Sequence, residues 1–107
     1  MEFFDEPDQM EREILRHVPI GSTTIDAKKE MERNGFKCDP VKNGTFSKAR
    51  YDKNASGRIK QIIYRSQDFL YCAISKGFIV ARRWQAAFVY KNGLITEIVV
   101  STGLVGL

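Results

Sequence analysis

The sequence predicts an α+β fold, with two N-terminal helices packed on one face of a three- to four-stranded antiparallel β-meander. Three observations lead there. Apolar residues recur at helical spacing in the first third of the chain, and from Phe69 onward the period changes to two. Short turn signals, Lys76-Gly77 and Lys91-Asn92-Gly93, separate the apolar runs of that second part, as in hairpins. The length, 107 residues, suits a single domain spanning 1–107 with one modest core.

The first helix is predicted over about 8–18. Met10, Ile14 and either His17 or Val18 form one apolar stripe. Pro7 suits the first turn, acidic groups there complement the helix dipole, and Pro19 stops the helix by pushing its predecessor out of the helical region. The second helix is predicted over about 23–34. Thr23 with Asp26 three residues on makes a capping-box pattern. At the far end "RNGF" has the form of a Schellman stop, with Asn34 as cap, Gly35 left-handed and Phe36 folding back onto Met31.

Residues 39–67 read as a long basic loop, because "DPVKNGTFSKARYDKNASGR" mixes turn formers with cations and shows no clear period. Long loops inside compact domains are usually functional or mobile.

Strands are predicted at about 69–75, 79–90 and 94–101. The register of the last two follows from patterning. A three-residue loop, Lys91-Asn92-Gly93, would pair Tyr90 with Leu94 and gather Trp84, Ala86, Phe88, Tyr90, Leu94, Ile98 and Val100 on one face. A two-residue Asn92-Gly93 loop would instead set Phe88 opposite Glu97, so the three-residue loop is favoured. Trp84 then faces the core with its indole N–H seeking a partner near the strand end, and Arg82 sits at the rim of the same face. The other face carries Arg83, Gln85, Ala87, Val89, Ile95, Glu97 and Val99, and its Ala87, Val89, Ile95 and Val99 make it more apolar than a solvated face requires. That excess marks Arg83, Gln85, Val89, Ile95 and Val99 as a candidate interaction surface.

Charge points to a second candidate surface. The net charge is +4. Lys42, Lys48, Arg50, Lys53, Arg58, Lys60 and Arg65 cluster against Asp52 alone, whereas the first residues are acidic. Interleaved with Phe46, Tyr51 and Tyr64, these cations could meet phosphates while the rings stack on bases, although no recognition motif accompanies them.

Little else suggests chemistry. The two cysteines, Cys38 and Cys72, lie outside any CxxC pattern, and His17 is the sole histidine, so neither a zinc site nor a thiol nucleophile with its base is indicated. Two readings of the cysteines remain open, a disulfide closing a loop of about 35 residues or two small buried thiols. His17 reads as a packed or capping group. No phosphate loop, GxSxG or HExxH occurs, and no catalytic, cofactor or metal residues are expected. No apolar run is long enough to span a bilayer as a helix. The acidic start is not a secretory signal, so the chain as written reads as cytoplasmic, or as an envelope protein if a signal has been removed.

Two segments, "VPIGSTTIDAKKEMERNGFKC" and "RRWQAAFVYKNGLITEIVVSTGLVG", resemble the small α+β layer of BamE-like (SmpA/OmlA) outer-membrane lipoproteins and the repeats of β-lactamase-inhibitor proteins. They cover about half the chain and also resemble a group of small bacterial proteins with "GF-x-C", "YC" and "RRWQ…STGL" segments. The lipoproteins' lipid-attachment cysteine and signal have no counterpart here. Members of this fold act by binding other proteins. The resemblance therefore implies a non-enzymatic protein-interaction or structural module whose partner is another protein or a second copy. Nucleic-acid binding through 42–65 is the alternative.

Overall fold

The computed structural model describes residues 1–52 and 58–106, with backbone alone for 45–52, 58–66 and 105–106. The element order is α1 (Pro7–His17), α2 (Thr24–Arg33), β1 (Lys37–Asp52), β2 (Arg58–Gly77), β3 (Val80–Lys91) and β4 (Leu94–Gly106). The strands form one antiparallel sheet in the order β1-β2-β3-β4, and the fold is α+β as the sequence predicts.

Local chemistry fixes both helices. Pro7 opens α1, whose Met10 and Ile14, followed by Val18, are fully or almost fully buried. Thr23 caps α2 by accepting a hydrogen bond from the Asp26 amide at 3.1 Å. The helix ends in the predicted Schellman geometry: Phe36 N–H donates to Met31 O at 3.1 Å and Gly35 N–H to Glu32 O at 3.0 Å. Gly35 has φ +96°, where a β-carbon would be strained. Phe36 and Met31 share the core cluster.

The expected loop over 39–67 is strand in its described residues, 39–52 and 58–67. It forms most of β1 and the first half of β2, with Cys38 opposite Cys72 at one end and Asp52 opposite Arg58 at the other. Its turn signal Lys42-Asn43-Gly44 is a bulge rather than a reversal. Asn43 takes φ +51°, and the register shifts on both sides of Gly44. The ribbon bends there with its backbone close over Phe69. A β-carbon at Gly44 would stand 2.6 Å from Phe69 Cε1 and 2.6 Å from Val41 Cγ1. Gly44→Ala is therefore expected to cost about 1–3 kcal/mol through overpacking, read as a lower urea midpoint at unchanged slope.

The second Lys-Asn-Gly, at 91–93, does reverse the chain, with a different register from the one patterning favours. Lys91 pairs with Leu94, so the loop is the two-residue Asn92-Gly93, with φ of +54° and +77° as a type I′ turn requires. An extra residue, Thr96, then shifts the ladder so that Val89 pairs with Glu97 and Phe88 with Ile98. Its hydroxyl donates to Val89 O at 3.2 Å. The two-residue loop turns Ile95 inward and Leu94 out, and the bulge then keeps Ile98 and Val100 inward without a three-residue loop. The chain before α2 covers this end of the β4 edge: Gly21 N–H donates to Ile95 O and Ile95 N–H to Ser22 O, both at 2.8 Å.

The core lies between the helices and the inner face of the sheet, where Leu70, Cys72, Trp84, Ala86, Phe88, Ile98 and Val100 meet Met10, Ile14, Ala27 and Met31. The N-terminal segment closes its open end. Phe3 stacks on Phe36 with centroids 5.8 Å apart and meets the Trp84 ring edge-on at 5.0 Å. The predicted partner of the Trp84 indole is Phe4 O, which accepts its N–H at 2.7 Å. Trp84→Phe is expected to remove about 1 kcal/mol through this bond and to raise amide exchange selectively in the N-terminal segment.

A second cluster, Phe69, Ala87, Val89 and Val99 with Val41 and Tyr71 against it, occupies the other face. The strands at the two ends of the sheet order, β1 and β4, come into contact with each other. In a flat four-stranded sheet two intervening strands would hold them roughly 14 Å apart, so the sheet is strongly curved and its outer face is enclosed around Phe69, Ala87, Val89 and Val99, whereas Lys37, Asp39, Ser75 and Ser101 on the same face stay exposed.

Candidate functional site

The proposed contact face does not survive this curvature. Val89 and Val99 are only 7% and 6% exposed because the curved sheet encloses them, and Ile95 is 1% exposed because the two-residue loop pairs it with Tyr90 and turns it into the helix-facing core. None of the three offers a surface. Arg83 and Gln85 remain on the outer face but are engaged locally. Arg83 donates to Ser75 Oγ at 3.3 Å and Tyr71 Oη at 3.4 Å, and Gln85 Oε1 accepts from Ser101 Oγ at 3.1 Å.

The basic cluster lies along a β-ribbon rather than in a loop. Lys48 and Arg50 belong to β1, and Arg58, Lys60 and Arg65 to β2; Lys53 falls outside the described residues. The register sets Arg50 opposite Lys60, and positions 48, 50, 58 and 60 share one face of the ribbon by strand alternation. Lys42 stands apart at the bulge. Its ammonium is 5.6 Å from the Tyr90 ring centroid and 3.7 Å from Asp68 Oδ2. The Tyr90 hydroxyl, with Asp68 adding to it, holds that ammonium above the usual lysine range.

Cys38 and Cys72 are directly opposed across β1 and β2 and joined by a disulfide, with Cα atoms 4.1 Å apart. Both lie in the inner core. The bond sits where the helix layer meets the base of the ribbon, a structural position without access to solvent.

His17 bridges the two helices. Its Nε2 lies 3.3 Å from Glu13 Oε2 and its Nδ1 3.4 Å from Glu30 Oε1. Glu13 also accepts the Glu2 amide at 2.8 Å and pairs with Arg16 at 3.2 Å, whereas Glu30 pairs with Arg33. The Glu2 amide, outweighing burial and helped by His17 and Arg16, holds the Glu13 carboxyl below the usual range. The Arg33 guanidinium, helped by His17 and Asn34, does the same for Glu30. The spacing of Glu13 and His17, four apart on one helix, was visible in the sequence; the third member arrives only by packing.

Those depressed values set the acid response. A carboxyl whose folded pKa lies below its unfolded one adds stability that is fully present above the ordinary value of 4.5 and is lost as pH falls through the folded value. The melting temperature is therefore expected to fall below about pH 4.5. The Glu13→Gln, Glu30→Gln double variant should start lower at neutral pH and decline less steeply through that window.

The feature that periodicity concealed is the β2–β3 tip. Phe78, Ile79 and Val80 continue the apolar run into β3, yet Gly77 pairs with Ala81, so the reversal passes through these three, with Phe78 and Ile79 at its apex and Val80 already paired with Gly106 of β4. They are 97%, 65% and 56% exposed, and Leu104, on β4 next to them, is 66% exposed. Turns favour Gly, Asn, Asp, Ser and Pro, so three large apolar residues at an apex run against local turn chemistry. The first ladder pair below Gly77–Ala81 is Lys76 with Arg82, and the next is Ser75 with Arg83. Among the described residues, the carboxylate paired with these cations is that of Asp5, whose Oδ1 lies 3.0 Å from Arg82 Nε.

No family model matches the chain, and neither a curated protein nor a solved structure does. No described helix is long and apolar enough to cross a membrane. Among the described residues no group of three or more His, Cys, Asp or Glu side chains is arranged to hold a metal ion.

Proposed function

We propose that the protein is a non-enzymatic interaction module that works through the ends of its sheet. The observation that carries this reading is the β2–β3 tip, where Phe78, Ile79, Val80 and Leu104 stand exposed together while the apolar clusters on the two faces of the sheet are buried within the chain. Exposed apolar residues in contiguous groups mark contact surfaces, and local rules broken at one place are a common sign of function. The resemblance of the 18–38 and 82–106 segments to BamE-like envelope proteins supports the same reading, and with it a role in a bacterial envelope.

A photoreactive amino acid in place of Ile79 tests the reading in the protein's own cells, with the same residue in place of exposed Asn92 as comparison. A defined adduct from position 79 and none from 92 is expected. Equal yields from both positions, or the absence of any adduct to protein or lipid at 79, would remove the tip as a contact surface.

A second reading is binding of a nucleic acid along the β1–β2 ribbon, favoured by the register that concentrates positions 48, 50, 58 and 60 on one face. A short labelled oligonucleotide should then bind at about micromolar levels and weaken steeply with salt. Millimolar, salt-independent binding rules that reading out.

A further inference from the structure

We propose that the β2–β3 tip is a membrane-contact site, with Phe78, Ile79, Val80 and Leu104 entering the interfacial layer of an anionic bilayer while Lys76, Arg82 and Arg83 lie at headgroup level. The inference rests on the reading of the tip as a contact surface and names what it contacts. Its apolar part is convex: Phe78 and Ile79 are at the apex of a hairpin, not in a groove, and Phe78 is 97% exposed. A projecting wedge has little to bury against a flat protein surface, but it can enter a deformable lipid layer. Val80 pairs with Gly106 and Leu104 with Arg82, so Leu104 lies diagonally beside Val80 and widens the wedge.

Charge selects the occupant. The cations stand two to four residues from the apex along the strands, and a strand rises roughly 3.3 Å per residue. They therefore lie about 7–13 Å below the tip, close to the roughly 5–10 Å to which interfacial apolar groups are buried. Arg83 is held by neutral hydroxyls of Ser75 and Tyr71, and the Lys76 ammonium rests over the Phe3 ring at 3.6 Å. Both charges are thus positioned by the protein without being neutralised by a carboxylate in these contacts. A second copy of the chain would bring the same excess of cations to the same place, so self-association through this tip is opposed by charge. An anionic lipid surface complements it.

Co-sedimentation of the intact, disulfide-bonded protein with vesicles of phosphatidylcholine and phosphatidylglycerol, against vesicles of phosphatidylcholine alone, provides the test. Binding to the anionic vesicles should be at least about tenfold stronger and should weaken with salt, since juxtamembrane cations act within a Debye length of the surface. The Phe78→Ser, Ile79→Ser variant should lose at least about tenfold of that binding at unchanged melting temperature, because the side chains removed are exposed. Phe78→Trp should show a blue-shifted emission component with anionic vesicles that the parent protein lacks. The proposal is overturned if the parent binds neither vesicle, if it binds both equally, or if the Ser variant binds as well as the parent. If vesicles fail while position 79 still gives a protein adduct in cells, the contact-surface reading stands and its partner is a protein. If both fail, the tip is not a contact surface.

Discussion

Replacing Phe88 with alanine is expected to lower the stability of the protein by about 3–5 kcal/mol. Phe88 is 0% exposed and stands at the centre of the inner face, paired with Leu70 on one side and Ile98 on the other. Helix residues Met10, Ile14 and Met31 close the same cluster from above. Removing the ring takes away its burial and leaves a cavity whose walls belong to two layers, neither of which can collapse without breaking the other's packing. Domains of this size are stable by about 5–15 kcal/mol in total, so a loss on this scale should lower the melting temperature by roughly 15–30 °C. Leu104→Ala, at an exposed position, should change it little, by about 0.5 kcal/mol or less. Thermal and urea melts of the two variants beside the parent provide the check. A comparable effect for both would mean that the inner face is not the organising core.

Reduction of the Cys38–Cys72 bond is expected to cost about 4 kcal/mol, because the cysteines are 34 residues apart and the bond removes loop entropy from the unfolded chain. It joins the ribbon to the part of the sheet beneath the helices, so the reduced protein should loosen first along β1. Because both cysteines are buried, the native protein should resist reductant until it opens, and the effect should appear as a lower urea midpoint only once the bond has been broken in denaturant. The Cys38→Ala, Cys72→Ala variant should show the lower midpoint and be indifferent to reductant. Two free thiols in natively prepared, denatured protein, with a midpoint unaffected by reductant, would return the pair to the reading of small buried thiols.

These outcomes depend on elements that differ in how plainly the sequence announces them. The ends of α2 are legible because capping is local: Thr23 and Asp26 satisfy the first turn, and Asn34-Gly35-Phe36 satisfies the last, within a few residues of each other. The inward set on β3 is legible because strand alternation is strict from Trp84 to Tyr90. The β1–β2 ribbon is not legible, because strand pairing is non-local and its residues carry cations where a buried strand would carry apolar side chains. The two Lys-Asn-Gly triplets show the same limit in miniature. Each places its Asn at positive φ, yet one is a bulge and the other a hairpin apex, and only the partner strand decides which. The inward placing of Ile98 opposite Phe88 depends on a bulged residue, Thr96, three positions past Gly93, a shift that pattern matching over a perfect ladder does not contain.

The tip was hidden for the opposite reason. Phe78, Ile79 and Val80 look like the best possible start of a strand, and the nearby Lys76-Gly77 looks like its turn. Gly77, with φ +137°, is instead the last paired residue of β2, and the reversal passes through the apolar residues themselves. A side chain's value for contact thus depended on a displacement of three residues.

Thiol reactivity of two single-cysteine additions, Val99→Cys and Phe78→Cys, tests most directly that the apolar cluster of the outer face is enclosed and the tip is free. With the native disulfide intact, the cysteine at 78 should react with a maleimide at close to the rate of an unfolded control, and the one at 99 at least about a hundredfold more slowly, the protection that about 2.7 kcal/mol of opening free energy gives. Equal rates at the two positions would show the outer face open to solvent and would contradict the account.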